Sequence, residues 1–185
     1  MKFSFFEYIS CDYQRNKGNA KGLFLVFHYR LANWARYSNR LVFFLFIPYL
    51  VWYKFFIEWM MGFEVPCSTR IGKGLMIHHG QGVVVNSDVI MGEYCCLLHQ
   101  VTIGTAGGGD YAKSPVIGDR VYLSVGAKVL GDVKVGDGAR IGADTLVLKD
   151  IEKHAVVVGN PMRVLRYDSD HSSFKVNKIA PPEKE

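Results

Sequence analysis

The residues that decide the fold are two runs, IGKGLMIHHGQGVVVNSDVIMGEYCCLLHQVTIGT at 71–105 and IGDRVYLSVGAKVLGDVKVGDGARIGADTLVLKDIE at 117–152. Read in sixes, the first places Ile71, Ile77, Val83, Val89, Cys95 and Val101, and the second Ile117, Leu123, Val129, Val135, Ile141 and Val147. Gly72, Gly118, Gly136 and Gly142 fill second places. Fifth places hold small or β-branched residues: Ser87, Thr105, Val121, Ala127, Val133, Ala139 and Thr145. A helix repeats at 3.6 and a strand at 2, so neither produces this period. A chain that turns a corner after each short strand does, with the first-place side chain pointing inward. Three sixes close a triangular coil, residues eighteen apart stack, and the two runs make about four coils of a parallel β-helix. On this count Leu97 stands one coil above His79, and His99 occupies a fifth place normally given to a small side chain.

The chain has 185 residues, 49% of them hydrophobic and 14% aromatic, with a net charge of +5. That length suits one domain with an appendage. The sequence divides into an aromatic-rich helical region at 1–66, the β-helix at 67–166 with a loop at 106–116, and a polar tail at 167–185. Residues 1–40 carry Lys2, Arg15, Lys17, Lys21, Arg30, Arg36 and Arg40 against Glu7 and Asp12, the whole of the excess charge. No nucleic-acid motif accompanies it, which argues against that partner. Cys11, Cys67, Cys95 and Cys96 show no zinc or disulfide spacing. Cys95 is expected inward and Cys96 outward. No cleavage site follows the first residues, so the cytoplasm, or its membrane face, is the expected location.

Leu23, Phe27, Leu31 and Trp34 recur at helical spacing, with Arg30 and Arg36 off that face. Leu41 to Tyr53 is uncharged and includes Pro48. A helix packed on the solenoid or on a partner subunit is the expectation there. A helix lying on a membrane through residues 1–63 is the alternative, and a span is disfavoured by Lys54, Glu58 and Pro48. Between Val101 and Ile117 the rule of six breaks by ten residues, around Gly107-Gly-Gly-Asp110. A glycine-rich loop leaving a rigid scaffold is a usual place for function.

His78, His79 and His99 fall within two coils of one another, beside that loop. No metal-ligand spacing, P-loop or Gly-x-Ser-x-Gly motif is present. A histidine steadied by an acid can take a proton from a hydroxyl.

With Ile71-Gly-Lys-Gly-Leu-Met-Ile-His-His79, His99-Gln-Val-Thr-Ile-Gly104, Gly107-Gly-Gly-Asp110 and Val158-Gly-Asn-Pro-Met-Arg163, the chain resembles the hexapeptide-repeat acyltransferases. Within them it resembles the serine acetyltransferase branch, and most of all the colanic-acid-type polysaccharide O-acetyltransferases. The resemblance covers roughly residues 10–165. It implies a left-handed β-helix, homotrimers or dimers of trimers, acetyl-CoA bound between neighbouring solenoids, and no metal. It makes His79 the general base and places Glu64 where the branch has an orienting aspartate. It places His78, His99, Asp110 and Tyr111 at the acceptor, and Gly104, Ala127, Ala143 and Arg163 in segments lining acetyl-CoA. His78 replaces an aspartate of serine acetyltransferases, and Tyr111-Ala112 replaces their Arg-His. A desolvated amino-acid carboxylate needs a charged or multidentate partner, whereas a sugar needs none and Tyr111 could stack on its ring. The expectation is therefore O-acetylation of a bacterial surface polysaccharide or its precursor. Serine O-acetylation is the alternative, and a non-catalytic trimeric scaffold a further one.

Overall fold

A computed structural model describes residues 4–107 and 113–168. Asp110, Tyr111 and most of the expected tail lie outside the described residues. The chain opens with α1 (Phe5–Ser10), α2 (Tyr13–Asn16), α3 (Ala20–Tyr37) and α4 (Arg40–Trp52), and α4 runs on as a π-helix over Tyr53–Met60. From Phe63 the chain is a left-handed parallel β-helix. One face stacks Phe63–Glu64, Val83–Val85, Thr102–Gly104, Lys128–Leu130 and Leu146–Val147; the second stacks Arg70–Ile71, Ile90–Met91, Val116–Ile117 and Lys134–Val135. The third stacks Met76–Ile77, Cys96–Leu97, Tyr122–Leu123, Arg140–Ile141 and Ala155–Val158, and Arg163–Tyr167 turns back antiparallel on the last of these.

All twelve expected first-place residues are buried, yet the frame slips by two. Ile71 pairs with Met91 and Ile77 with Leu97, twenty residues on. Val85 pairs with Ile103, eighteen on. The first coil therefore has two extra residues in the corner His78–Gly82. The inward first places after it are Val85, Met91, Leu97 and Ile103, while Val83, Val89, Cys95 and Val101 are fifth places. Both positions point inward because a strand alternates with period two, so the slip left no trace in the hydrophobic pattern. Met91 pairs with Ile117 and Leu97 with Leu123, twenty-six on. The loop insertion is thus eight residues rather than ten. Cys96, expected outward, is only 4% exposed.

The helices form one hydrophobic core with the solenoid, joining Leu25, Val26, Tyr29, Tyr53 and Ile57 to the aliphatic column. A parallel coil at the end of a stack exposes unpaired N–H and C=O groups, which must find partners. Here side chains supply them. Asp12 accepts from Leu75 N at 2.8 Å, Asn16 donates to Leu75 O at 2.8 Å and accepts from Ile77 N at 3.1 Å, and Asn19 donates to Ile77 O at 2.7 Å. Arg30 donates to Ile71 O at 2.8 Å and Gly72 O at 2.6 Å, Tyr29 to Thr69 O at 2.8 Å, and Asn33 to Cys67 O at 2.7 Å. Arg30 is also ion-paired with Asp12 at 2.7 Å, each side chain 1% exposed.

This corrects the expected face of α3. Leu25, Val26, Tyr29, Arg30, Ala32 and Asn33 are buried, whereas Phe27 is exposed and Leu23, Leu31 and Trp34 only half-buried. The strand edge demands donors, and that demand outweighs the aliphatic stripe.

Replacing Asp12 by alanine leaves the Arg30 charge buried without its counter-ion and orphans Leu75 N. Asp12→Ala is expected to lose about 3–5 kcal/mol of stability, measured by chemical denaturation of the full chain.

Candidate active site

The site is built on the corner that leads from the third face to the first. By the observed register, the third places His79, His99, Val125 and Ala143 form one column along this corner, following the inward residues Ile77, Leu97, Leu123 and Ile141. The residue one coil above His79 is therefore His99, not Leu97, and His99 stands in a third place rather than a fifth. The two rings meet edge to face, with centroids 5.7 Å apart and planes at 79°.

The backbone holds both rings. His79 O accepts from Gln81 N at 2.8 Å, Gln100 N donates to Gln81 O at 2.8 Å, and His99 O accepts from Gly126 N at 3.1 Å. His79 has φ 69°, in the left-handed region that is uncommon for a side-chain-bearing residue. Gly80 follows at φ 61°, and a Cβ there would lie 2.3 Å from Leu25 Cδ1. A side chain there would be strained by the left-handed backbone and would displace the end of Leu25.

His79 is exposed and His99 half-buried. His99 Nδ1 is buried and has no hydrogen-bond partner among the described residues. A buried polar atom of that kind calls for a partner from outside the chain or a functional reason. The ring-nitrogen vacancy could not be read from sequence, although the out-of-rule histidine could. His78 is half-buried, and its pKa is lowered by burial, then by His79 and Arg15, so the ring is neutral at pH 7.

The other expected site residues are more scattered. Glu64 lies exposed on the first face, in register with Val84, and no hydrogen bond joins it to His79 among the described residues. Ala143 is exposed in the histidine column. With coils spaced roughly 5 Å apart, it sits roughly 15 Å from His79 along the axis. Gly104 ends its strand at the next corner, where its carbonyl accepts from Gly131 N at 2.9 Å. Arg163 is exposed at the start of the closing strand. Ala127 is 0% exposed, a fifth place facing the core, so its methyl is not offered to a ligand. Among the described residues no group of three His, Cys, Asp or Glu side chains is gathered for a metal.

No thiol is poised as a nucleophile. Burial is the largest cause pushing Cys11 up to about 11, Cys95 to about 12 and Cys96 to about 11, and it raises Cys67 as well. Reactive cysteines need the opposite shift.

The family model described as bacterial transferase hexapeptide (six repeats) matches residues 114–149. The serine acetyltransferase of Synechococcus elongatus is 38% identical over 141 residues, 76% of this chain and 55% of that protein. That of Escherichia coli is 31% identical over 161 residues, 85% of this chain and 56% of that protein. The chain thus spans little more than half the length of these curated relatives. Among solved structures, soybean serine acetyltransferase apoenzyme superposes with a TM-score of 0.69 at 30% identity, over 88% of this chain and 69% of that one. A serine acetyltransferase in complex with CoA gives 0.70 at 26% identity, over 88% and 70%. The chain belongs to the hexapeptide-repeat acyltransferases.

These relatives overturn the expected polysaccharide acceptor and the special closeness to colanic-acid-type enzymes, because they are serine acetyltransferases. The misreading rested on His78 in place of an aspartate and on Tyr111-Ala112 in place of Arg-His, the latter in a loop outside the described residues.

The thiol environment has a consequence for the reaction. After incubation with acetyl-CoA, the intact mass of the protein is expected to be unchanged, and the native cysteines to react with iodoacetamide at pH 8 far more slowly than in denaturant. An acetyl adduct on a cysteine would contradict this.

Proposed function

We propose that the chain is an acetyl-CoA-dependent O-acyltransferase whose acceptor is the hydroxyl of L-serine. The observation that carries the reading is the exposed His79 ring against His99, whose Nδ1 is buried and without a partner among the described residues, in a chain 38% identical to a serine acetyltransferase over 76% of its length.

His79 takes the proton from the acceptor hydroxyl. The resulting oxygen nucleophile attacks the thioester carbonyl carbon of acetyl-CoA, forming a tetrahedral intermediate. The carbon–sulfur bond then breaks, and the departing CoA sulfur takes the proton back from the imidazolium. The raised thiol pKa values support direct transfer over a cysteinyl acyl-enzyme. Glu64 orients the imidazole, which asks its carboxylate to reach Nδ1 of His79 when substrate is bound. His78, neutral at pH 7, and His99 donate hydrogen bonds to the acceptor. These ring N–H donors supply hydrogen bonds where the guanidinium is missing.

The exposure of His79 in a single chain supports a trimer in which the neighbouring solenoid completes the groove for acetyl-CoA along the column that contains Ala143. Asp110 and Tyr111, outside the described residues, serve the acceptor by resemblance alone, and Gly104 and Arg163 border the CoA path. The helical region 1–66 serves as the cap and 67–166 as the catalytic solenoid. Acetyl-CoA and free serine are cytoplasmic metabolites, which supports that location.

Release of CoA from acetyl-CoA with L-serine, followed by mass spectrometry, tests the assignment. Turnover is expected, and His79→Ala is expected to reduce it about 10²–10⁴-fold with an unchanged circular dichroism spectrum. No turnover with L-serine, while CoA still shifts the melting temperature, would overturn the acceptor. The absence of both would leave a scaffold.

A further inference from the structure

Arg40–Met60 is one continuous helix of 21 residues, long and apolar enough to cross a membrane. It does not leave the body of the protein. Tyr53 O–H donates to Val65 O at 2.7 Å, the Tyr49 hydroxyl lies 2.9 Å from His28 Nδ1, and Tyr53, Ile57 and Glu58 are buried. One flank is thus committed to the cap and the first coil.

The opposite flank is exposed, with Trp52 at its edge 5.1 Å from the His28 ring. No residue of α4 is buried. Leu41, Phe44, Leu45, Pro48, Trp52 and Phe55 recur at three- and four-residue spacing, all exposed, with Leu45 at 69%. No charged residue falls in this stripe. A surface helix normally turns its polar side outward, and this one turns both sides apolar. The patch extends onto α1, because Phe5 packs on Trp34 at 4.5 Å and Trp34 on Phe46 at 5.7 Å, with Phe6 80% exposed beside them.

The rim is cationic. Arg36 lies over the Phe43 ring at 5.4 Å and Arg40 begins α4, both exposed. The acids nearby are occupied: Glu58 is 4% exposed and paired with Lys54, and Glu7 caps α1 through Ser4 N at 2.8 Å. A second copy docked two-fold on this face would bring its own Arg36 and Arg40 to the same rim and no acid to meet them. An anionic lipid surface complements both the aromatic stripe and the basic rim.

We infer that the outward face of α4, with Phe5 and Phe6 of α1, is an interfacial membrane-binding surface selective for anionic lipid. The helix lies in the plane of the headgroups, its inner flank held on the protein. The inference is independent of the acceptor and does not rest on the catalytic reading.

The full chain is floated with vesicles of phosphatidylcholine alone and with phosphatidylglycerol added. Binding to the anionic vesicles is expected to exceed that to neutral ones by about tenfold or more, from about 1 kcal/mol per basic side chain at the surface, with a blue shift of tryptophan emission. The double variant Leu45→Glu, Phe55→Glu is expected to lose flotation while keeping its circular dichroism spectrum and melting temperature, since both side chains are solvent-facing. Failure of the unmodified protein to float on anionic vesicles, or equal flotation of the variant, would overturn the inference. So would an assembly, seen by light scattering, that dissociates in the variant without any flotation, because that outcome assigns the face to a second copy.

Discussion

The structure depends on how the open edge of the first coil is closed. A parallel β-helix has to begin somewhere, and its first coil presents backbone donors and acceptors with no coil beneath them. Asp12, Asn16, Asn19, Tyr29, Arg30 and Asn33 take up those groups between Cys67 and Ile77. Much follows from this. The polar side of α3 is turned inward, so Phe24 and Phe27 are turned out. The start of the corner carrying His78 and His79 is pinned on its lower side. The helix that follows, arriving after α3 has covered the edge, buries only Tyr53, Ile57 and Glu58 of its π-helical end. A buried arginine at the heart of such a cap is not a source of stability by itself. Its value is that Asp12 and the two carbonyls leave none of its charge unanswered.

The period of six was legible because the first places are held by aliphatic residues in both runs. What the sequence hid was phase. A slip of two residues exchanges first and fifth places, both inward, so Val83, Val89, Cys95 and Val101 satisfy a wrong frame as well as Val85, Met91, Leu97 and Ile103 satisfy the right one. Gly92 was the available clue, since it follows Met91 as Gly72 follows Ile71. The face of α3 was illegible for another reason. An amphipathic reading assumes that the buried side is apolar, and a helix covering a strand edge obeys the edge.

At the site, the residue types were legible and the relations among them were not. His79 and His99 stood out as imidazoles on a small-residue scaffold, and they are in contact. Ala127 did not follow the expectation, because its fifth place faces the core. The acceptor was misjudged by giving too much weight to Tyr111 and Ala112. A few changed residues in one loop do not define the chemistry of a whole site.

The slip and the site have the same origin. In a coil of eighteen residues the residue above His79 would be Leu97, carried into the same third place. The two residues added at His78–Gly82 shift the next coil so that His99 comes above His79 instead. The widened corner is held by left-handed backbone at His79, Gly80 and Gly82, with φ of 69°, 61° and 66°, and only one of those three residues has a side chain to strain. Departures from a local rule concentrate where function needs them. Here the departure is two residues long, and it turns a repeating corner into a pair of imidazoles facing outward from a rigid ladder.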